Sequence, residues 1–131
     1  MMKISSNQQQ DLRSASILAH VHICSYTFAM TAIRFEWDEA KNISNRRKHG
    51  VSFEEACHVF FDPLFVSVLD RIEGGEERWR TYGEVEGLLL LLVAHTVRED
   101  DCHETTVEVI RIISARRATR KERQRYEEEN R

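Results

Sequence analysis

The sequence predicts an α+β domain, in which helices pack on one face of an antiparallel sheet of four or five strands. Two observations support this prediction. Ile33, Phe35 and Trp37 alternate with charged residues, as in a strand with one buried face, and two helical patterns follow. After Pro63 the pattern is one of strands alone, until a final helix. Runs of helix followed by runs of strand are typical of this class, and the expected order is β-α-α-β-β-β-β-α.

The first helix is expected to begin at Glu39 and to end at Gly50. Asp38 is a favourable N-cap, and Glu39 suits the positive end of the helix dipole. Gly50 is a common left-handed stop signal. The last turn holds four basic side chains, Arg46, Arg47, Lys48 and His49. Cations complement the negative end of the dipole, so part of this cluster has a structural explanation.

A second helix is predicted from Ser52, with Glu55 three residues later completing a capping box. Its apolar stripe is formed by Phe53, Ala56, Cys57, Phe60 and Phe61. Pro63 ends it. We interpret Cys57 as a small buried residue.

Four strands and a helix should follow. The strands are predicted at Phe65 to Asp70, Arg78 to Val85, Leu88 to Val97 and Thr105 to Ala115. Turns are expected at Gly74-Gly75 and Glu86-Gly87, and an acidic loop at Glu99 to Glu104. The run of Leu and Val in the third strand favours a central position, covered on both faces. The final helix should begin at Arg117 or Ala118 and continue towards Glu129.

The sequence divides into residues 1–33, an N-terminal extension, and residues 34–131, the domain itself. Met30 precedes the first well-patterned element, so translation naturally beginning there is one explanation of the extension. The alternative is an additional helix or strand that covers part of the domain. Residues 15–30 are too short to span a bilayer. Three cysteines without a C-x-x-C pair argue against a disulfide framework or a zinc site, and a reducing cytoplasm is expected.

Charge is segregated along the chain. The formal net charge is -3, which taken alone argues against binding to nucleic acid. From Arg111 to Arg125, however, there are seven basic residues and a single acidic one, Glu122. The end of the first helix is a second basic group. Such segregation predicts one positive face. A solvated helix rich in arginine is the other explanation of the second cluster.

A basic site of this kind can cleave RNA without a metal ion. A base removes the proton of a 2′-hydroxyl, cations stabilise the phosphorane, and an acid protonates the leaving 5′-oxygen. The candidate residues are Lys48, His49, Arg78, Arg80, His95, Arg98, Arg111, Arg116 and Tyr126. His49 also has a structural explanation, as a partner of the helix dipole. His95 is more typical of a hydrogen-bonded core histidine, and Trp79 and Tyr82 of core packing than of base stacking.

Several motifs resemble the BrnT family of toxins. They are FEWDEAKN from Phe35, NRRKHG from Asn45, VSFEEA from Val51, Glu77-Arg78 with Gly83, and RIISARRATRKER from Arg111, followed by Tyr126. The resemblance covers about three quarters of the chain. It implies a RelE-like fold and a ribonuclease toxin of a bacterial type II toxin–antitoxin system. It further implies an antitoxin resembling BrnA, two-plus-two complexes, and contact with operator DNA only through that antitoxin.

Our hypothesis at this stage is a cytoplasmic endoribonuclease that needs no cofactor or metal ion and has no membrane partner. Catalysis is assigned to Lys48, His49, Arg78 and Arg116. RNA binding is assigned to Arg80, Arg111, Arg117, Arg120 and Tyr126. The alternative is a degenerate toxin that acts mainly as an antitoxin-binding co-repressor, and a third interpretation is a nucleic-acid-binding domain without an antitoxin. Two features depart from the family pattern, the N-terminal extension and the acidic segment Arg98–Thr106.

Overall fold

A computed structural model describes the backbone of residues 3–4, 21–28, 31–102 and 105–130. These residues form one sheet with three α-helices. The strands are β1 (Lys3–Ile4), β2 (Val21–Phe28), β3 (Thr31–Asp38), β4 (Val66–Glu73), β5 (Glu76–Val85), β6 (Leu89–Cys102) and β7 (Thr105–Arg117). The helices are α1 (Glu39–His49), α2 (Phe53–Cys57), which a 3-10 turn (His58–Phe61) extends, and α3 (Arg120–Glu129). The predicted class, α+β, is therefore confirmed.

The helix boundaries follow the predicted capping signals. Asp38 accepts a hydrogen bond from the backbone N–H of Ala40, and Gly50 is left-handed with a φ of 72°. Ser52 caps α2 through the N–H of Glu55. The start of the last helix was placed too early, because Thr119 is its N-cap and forms a reciprocal capping box with Glu122.

The sheet is mostly antiparallel and has the strand order β1-β2-β3-β7-β6-β5-β4. One pairing differs from the expected all-antiparallel arrangement, since β3 runs parallel to β7. The predicted acidic loop is also corrected. Glu99 to Cys102 continue β6 and pair with β7 as far as Thr105, while residues 103 and 104 lie outside the described part.

β2 pairs with β3 along its whole length. The described part of the N-terminal extension therefore contributes strands to the sheet, which is one of the alternatives that the sequence left open. The proposed start at Met30 lies outside the described residues and stays a prediction.

The two faces of the sheet are covered differently. We call the side under α1 and α2 the helix-covered face. Its core contains Phe35 and Trp37 of β3, Phe53 of α2 and Leu91 of β6. On the other face, α3 covers a smaller cluster formed by Tyr82, Leu90, Leu92 and Tyr126. Leu90 to Val93 are all buried, so β6 is central and covered on both sides there, as predicted. None of the helices in the described ranges is long and apolar enough to cross a membrane.

Candidate nucleic-acid interface

Arginines from several strands come together on the sheet face that α3 only partly covers. In the strand register, Arg78 of β5 lies opposite Thr96 of β6, which lies opposite Arg111 of β7, which in turn lies opposite Glu36 of β3. Residues paired in this way point to the same face. Neighbouring strands are about 4.8 Å apart, so Arg78 and Arg111 stand roughly 10 Å apart with the smaller Thr96 between them.

A second line of residues lies beside the first. Arg80 is paired with Ala94, and Ala94 with Ser114. Small side chains therefore form the floor between the arginines of β5 and those of β7. We call this surface the arginine face. Its cationic members are Arg34, Arg78, Arg80, Arg98 and Arg111.

Each guanidinium of the arginine face lies near a carboxylate. The pairs and their N···O distances are Arg34–Asp100 (3.5 Å), Arg78–Glu73 (3.5 Å), Arg80–Asp70 (3.0 Å), Arg98–Glu36 (2.5 Å) and Arg111–Glu36 (3.5 Å). Five cations thus face four anions, because Glu36 is shared. The side chains of Arg80, Arg98 and Arg111 are more than a third exposed, so a phosphate can compete with the carboxylates for them.

Glu36 organises one end of the arginine face. Its side chain is only 9% exposed, and it receives hydrogen bonds from both terminal nitrogens of Arg98. Burial raises the pKa of Glu36, but the hydrogen bonds and charges of Arg98 and Arg111 outweigh burial and bring the pKa below 4.5. The carboxylate is therefore ionised at neutral pH and holds two arginines from neighbouring regions of the sheet.

The Nε atoms of Arg78 and Arg80 are buried and donate no hydrogen bond to the described residues. Arg78 Nε lies 3.5 Å from the carboxylate of Glu73 without hydrogen-bond geometry, and Arg80 contacts Asp70 through Nη2 instead. A buried donor without a partner is costly, so these two atoms mark a place where an anionic ligand would be stabilised.

Lys48 and His49 lie elsewhere. They end α1, which packs on the helix-covered face, where Asn45 donates to the carbonyl of Ala115 at 2.7 Å. Lys48 is exposed and His49 is half-buried. The sheet layer thus separates α1 from the arginine face, and the structure does not group these two residues with Arg78 and Arg111.

Arg116, Arg117 and Arg120 lie where β7 leads into α3. Arg116 donates to both carboxylate oxygens of Glu122, at 2.7 and 3.0 Å. This bidentate contact, opposed by burial and aided by the N–H of Thr119, brings the pKa of Glu122 to about 2. Arg116 therefore ties α3 to the sheet beside the arginine face. Arg120 is exposed at this junction. Arg117 is also exposed, but it lies opposite Leu91 and therefore points to the helix-covered side.

Tyr126 has a packing role in the structure. It is 5% exposed and its hydroxyl donates to Asp62 at 2.5 Å. Burial, together with the Asp62 carboxylate, raises the pKa of Tyr126 well above its usual value of 10. The ring closes the small core under α3, so it presents no free surface for the RNA contact expected from the sequence.

Replacing Tyr126 by Phe should therefore reduce stability and leave RNA affinity unchanged. The variant loses a hydrogen bond to a charged group, which contributes about 1.5–3 kcal/mol. Asp62 keeps its hydrogen bonds from the N–H groups of Leu64 and Glu84, which limits the loss to the lower end of that range. Urea unfolding measures the stability, and RNA titration measures the affinity. A large loss of affinity with unchanged stability would contradict the packing role.

His95 is the hydrogen-bonded core histidine that the sequence favoured. It is 2% exposed, contacts the hydroxyl of Thr81 at 2.6 Å through Nε2, and packs edge-on against Phe60. Burial lowers the pKa of His95 to about 4, against a smaller raising effect of the Thr96 carbonyl. It faces away from the arginine face and belongs to the fold.

The sequence reasoning did not single out Glu36 at all, and it left Arg98 among the unassigned candidates. The signal for Glu36 was a charged residue between the buried Phe35 and Trp37, on the other side of the same strand. The described residues contain no cluster of three or more His, Cys, Asp or Glu side chains arranged to hold a metal ion.

Comparison with known proteins identifies the family. The model of "Ribonuclease toxin, BrnT, of type II toxin-antitoxin system" matches residues 37–122, well over half of the chain. The chain belongs to the BrnT family. The predicted family and the ribonuclease class that its description states are thereby confirmed. In this BrnT chain the motif residues Asn42 and Asn45 are buried in α1 and have structural contacts, to Glu54 and to the carbonyl of Ala115.

Among solved structures, this BrnT chain is similar to the 1.1 Å crystal structure of the Brucella abortus ribonuclease toxin, BrnT. The two sequences are 24% identical over an alignment that covers 64% of this chain and 94% of the Brucella chain, and the TM-score is 0.43. No curated protein matches the chain.

Proposed function

We propose that this BrnT chain is an endoribonuclease that binds and cleaves RNA on the arginine face without a metal ion. The observation that supports this most directly is the position of Arg78 and Arg80, whose buried Nε atoms donate no hydrogen bond to the described residues, opposite Arg111 across a floor of small residues. Guanidinium groups bind phosphate oxygens in a forked geometry, and here they approach one trough from both sides.

The proposed reaction is an attack of the 2′-oxygen on the neighbouring phosphorus. The 2′-oxygen loses its proton to a base as its bond to phosphorus forms, and the bond from phosphorus to the 5′-oxygen breaks. The 5′-oxygen takes up a proton, so the products carry a 2′,3′-cyclic phosphate and a 5′-hydroxyl. Arg78, Arg80 and Arg111 would stabilise the additional negative charge of the phosphorane.

The catalytic roles of Lys48 and His49 are a separate proposal from the role of the arginine face. Their position at the end of α1 keeps them away from Arg78 and Arg111, yet an extended RNA strand that passes the end of β7 would reach both regions. Arg116, Arg117 and Arg120 lie at that end and would guide the strand.

The chain would act in the cytoplasm and be neutralised by an antitoxin that resembles BrnA. Family membership supports an antitoxin in general. We further propose that two toxin chains and two antitoxin chains form one complex. This complex would repress its operon through the DNA-binding region of the antitoxin.

The ion pairs of the arginine face support a second candidate function, that of a co-repressor with little or no ribonuclease activity. Every arginine of the arginine face has a carboxylate within 3.5 Å, which weakens its attraction for phosphate. A weak or degenerate toxin that works mainly as an antitoxin-binding co-repressor would fit this compensation.

Purified protein incubated with RNA distinguishes the two candidates. We expect cleavage at the same rate with EDTA as without it, and 2′,3′-cyclic phosphate ends on the 5′ fragments. Restoration of activity only on addition of a divalent ion would contradict metal independence. Absence of cleavage, and absence of growth arrest when soluble protein is induced in a bacterium, would favour the co-repressor.

A further inference from the structure

Exposed apolar side chains are concentrated at one border of the sheet. Six large apolar residues are exposed in the described part of the chain, and four of them lie close together in sequence. These four are Leu64, Phe65, Leu69 and Ile72, with Ile72 at 65% exposure. Such a cluster on a small protein marks an interaction site more often than a random scatter does.

The same border is an unpaired strand edge. β4 is the last strand in the sheet order, and no described segment pairs with its outer side. At the opposite border the described end strand is β1, which has only two residues and pairs with β2. An edge strand presents free N–H and C=O groups that can pair with another extended chain.

We call Leu64, Phe65, Leu69 and Ile72 the apolar strip, and two of them contact residues inside the fold. Leu69 lies opposite Trp79 of β5, and the Phe65 ring lies 6.4 Å from that of Phe60, which packs against the main core. The strip is therefore a fixed extension of the core towards the helix-covered side. It is also separated from the arginine face, which looks the other way.

Charge favours a basic occupant over a second copy of this chain. Around the β4–β5 hairpin four exposed acids outnumber three arginines. Arg71, Arg78 and Arg80 pair with Asp70 and Glu73, and the further acids are Glu76 and Glu77. A two-fold pairing of two such edges would bring like charges together, which is unfavourable.

We propose that the β4 edge is the docking site for an extended segment of the antitoxin, with apolar side chains that cover Leu69 and Ile72 and basic side chains that meet Glu76 and Glu77. The segment would add one strand beside β4. This inference rests on the partner in the proposed function and is tested separately from RNA cleavage, because the docking contacts include none of the arginines of the arginine face.

The test uses the protein encoded by the gene adjacent to that of this chain, titrated calorimetrically into the full-length protein. Ile72→Lys removes an apolar contact and adds a repelling charge, so we expect binding to weaken at least tenfold. Leu88→Lys is the matched control, because Leu88 is 80% exposed but lies in the β5–β6 turn. It should bind like the wild type. Cleavage of RNA should be the same for both variants and the wild type.

Hydrogen exchange supplies a second measurement on the wild-type complex. The amides of Val66–Glu73 should become protected on binding. Equal affinity of Ile72→Lys and the wild type, protection only elsewhere, or no binding of the adjacent gene product would each overturn the proposal. So would self-association of the wild type that Ile72→Lys abolishes, since a second copy would then occupy the edge. Loss of RNA cleavage in all three proteins would instead refute the ribonuclease activity and leave the docking result intact.

Discussion

Replacing Arg78 or Arg80 by alanine should reduce the rate of RNA cleavage about 100-fold each, the loss expected when one donor to a developing oxyanion is removed. Both side chains project from β5 onto the arginine face, and both contain a buried Nε that donates no hydrogen bond to the described residues. The variants should remain folded, because the neighbouring Asp70 and Glu73 are near the surface and can be solvated. Cleavage of a short labelled RNA measures the effect, and thermal unfolding checks the fold.

Arg47→Ala is the matched control for these variants. Arg47 is an exposed arginine in the last turn of α1, on the helix-covered side, and its loss removes the same charge. It should retain nearly full activity. The double variant Lys48→Ala with His49→Ala then decides between the two basic regions. Activity lost in that double variant but kept in Arg78→Ala and Arg80→Ala would place catalysis at the end of α1 and contradict the assignment to the arginine face.

The helices and strand positions were predictable because local rules determine them. Asp38, Ser52 and Gly50 are capping and stop residues whose side chains or backbone act within a few positions, and the structure confirms each of them. The exception is instructive. Thr119 with Glu122 was an available capping box, but the basic run from Arg116 obscured where the strand ends and the helix begins.

The parallel pairing of β3 with β7 could not be predicted in the same way. It joins residues more than seventy positions apart. The residues around Phe35 and Ile110 do not indicate whether the neighbouring strand runs parallel or antiparallel. Only the topology brings Glu36 beside Arg111. The Glu36–Arg98 contact depends on the same long-range register.

The alternation of side chains along β5 was enough to predict that its two arginines lie on the same face. Arg78 and Arg80 are two residues apart, so a regular strand places both on one face. Arg111 and Arg116 are five apart and would face opposite sides in a regular strand. A register shift opposite Ala94 and His95 inserts an extra residue into β7, so that both arginines reach the same face. The sequence grouped Lys48 and His49 with them by charge alone, and charge carries no information about which side of the sheet a helix covers.

Acidification from pH 7 to pH 4.5 should lower the free energy of unfolding by about 2 kcal/mol through His95 alone. The imidazole is buried and neutral, with its pKa lowered to about 4 mainly by burial, whereas in the unfolded chain it titrates near 6.5. Between these values the unfolded state binds a proton that the folded state does not. Stability therefore rises with pH across this window, is fully present above 6.5, and is lost as the pH falls towards 4.

Urea unfolding of the wild type and of His95→Gln at several pH values tests this expectation. The Gln side chain can still hydrogen-bond to Thr81 but does not titrate, so the variant should be less stable at pH 7 and nearly independent of pH down to 4.5. The carboxylates with lowered pKa, Glu36 and Glu122, lose their contribution only below about 4.5, so they affect a separate range. His58→Gln, at an exposed histidine in the 3-10 turn, is the control and should keep the wild-type slope. Equal slopes for His95→Gln and the wild type would show that another group produces the acid sensitivity. A flat profile for His95→Gln alone would identify the cost of protonating one core histidine, held between Thr81 and Phe60, as the main acid sensitivity of the fold in this range.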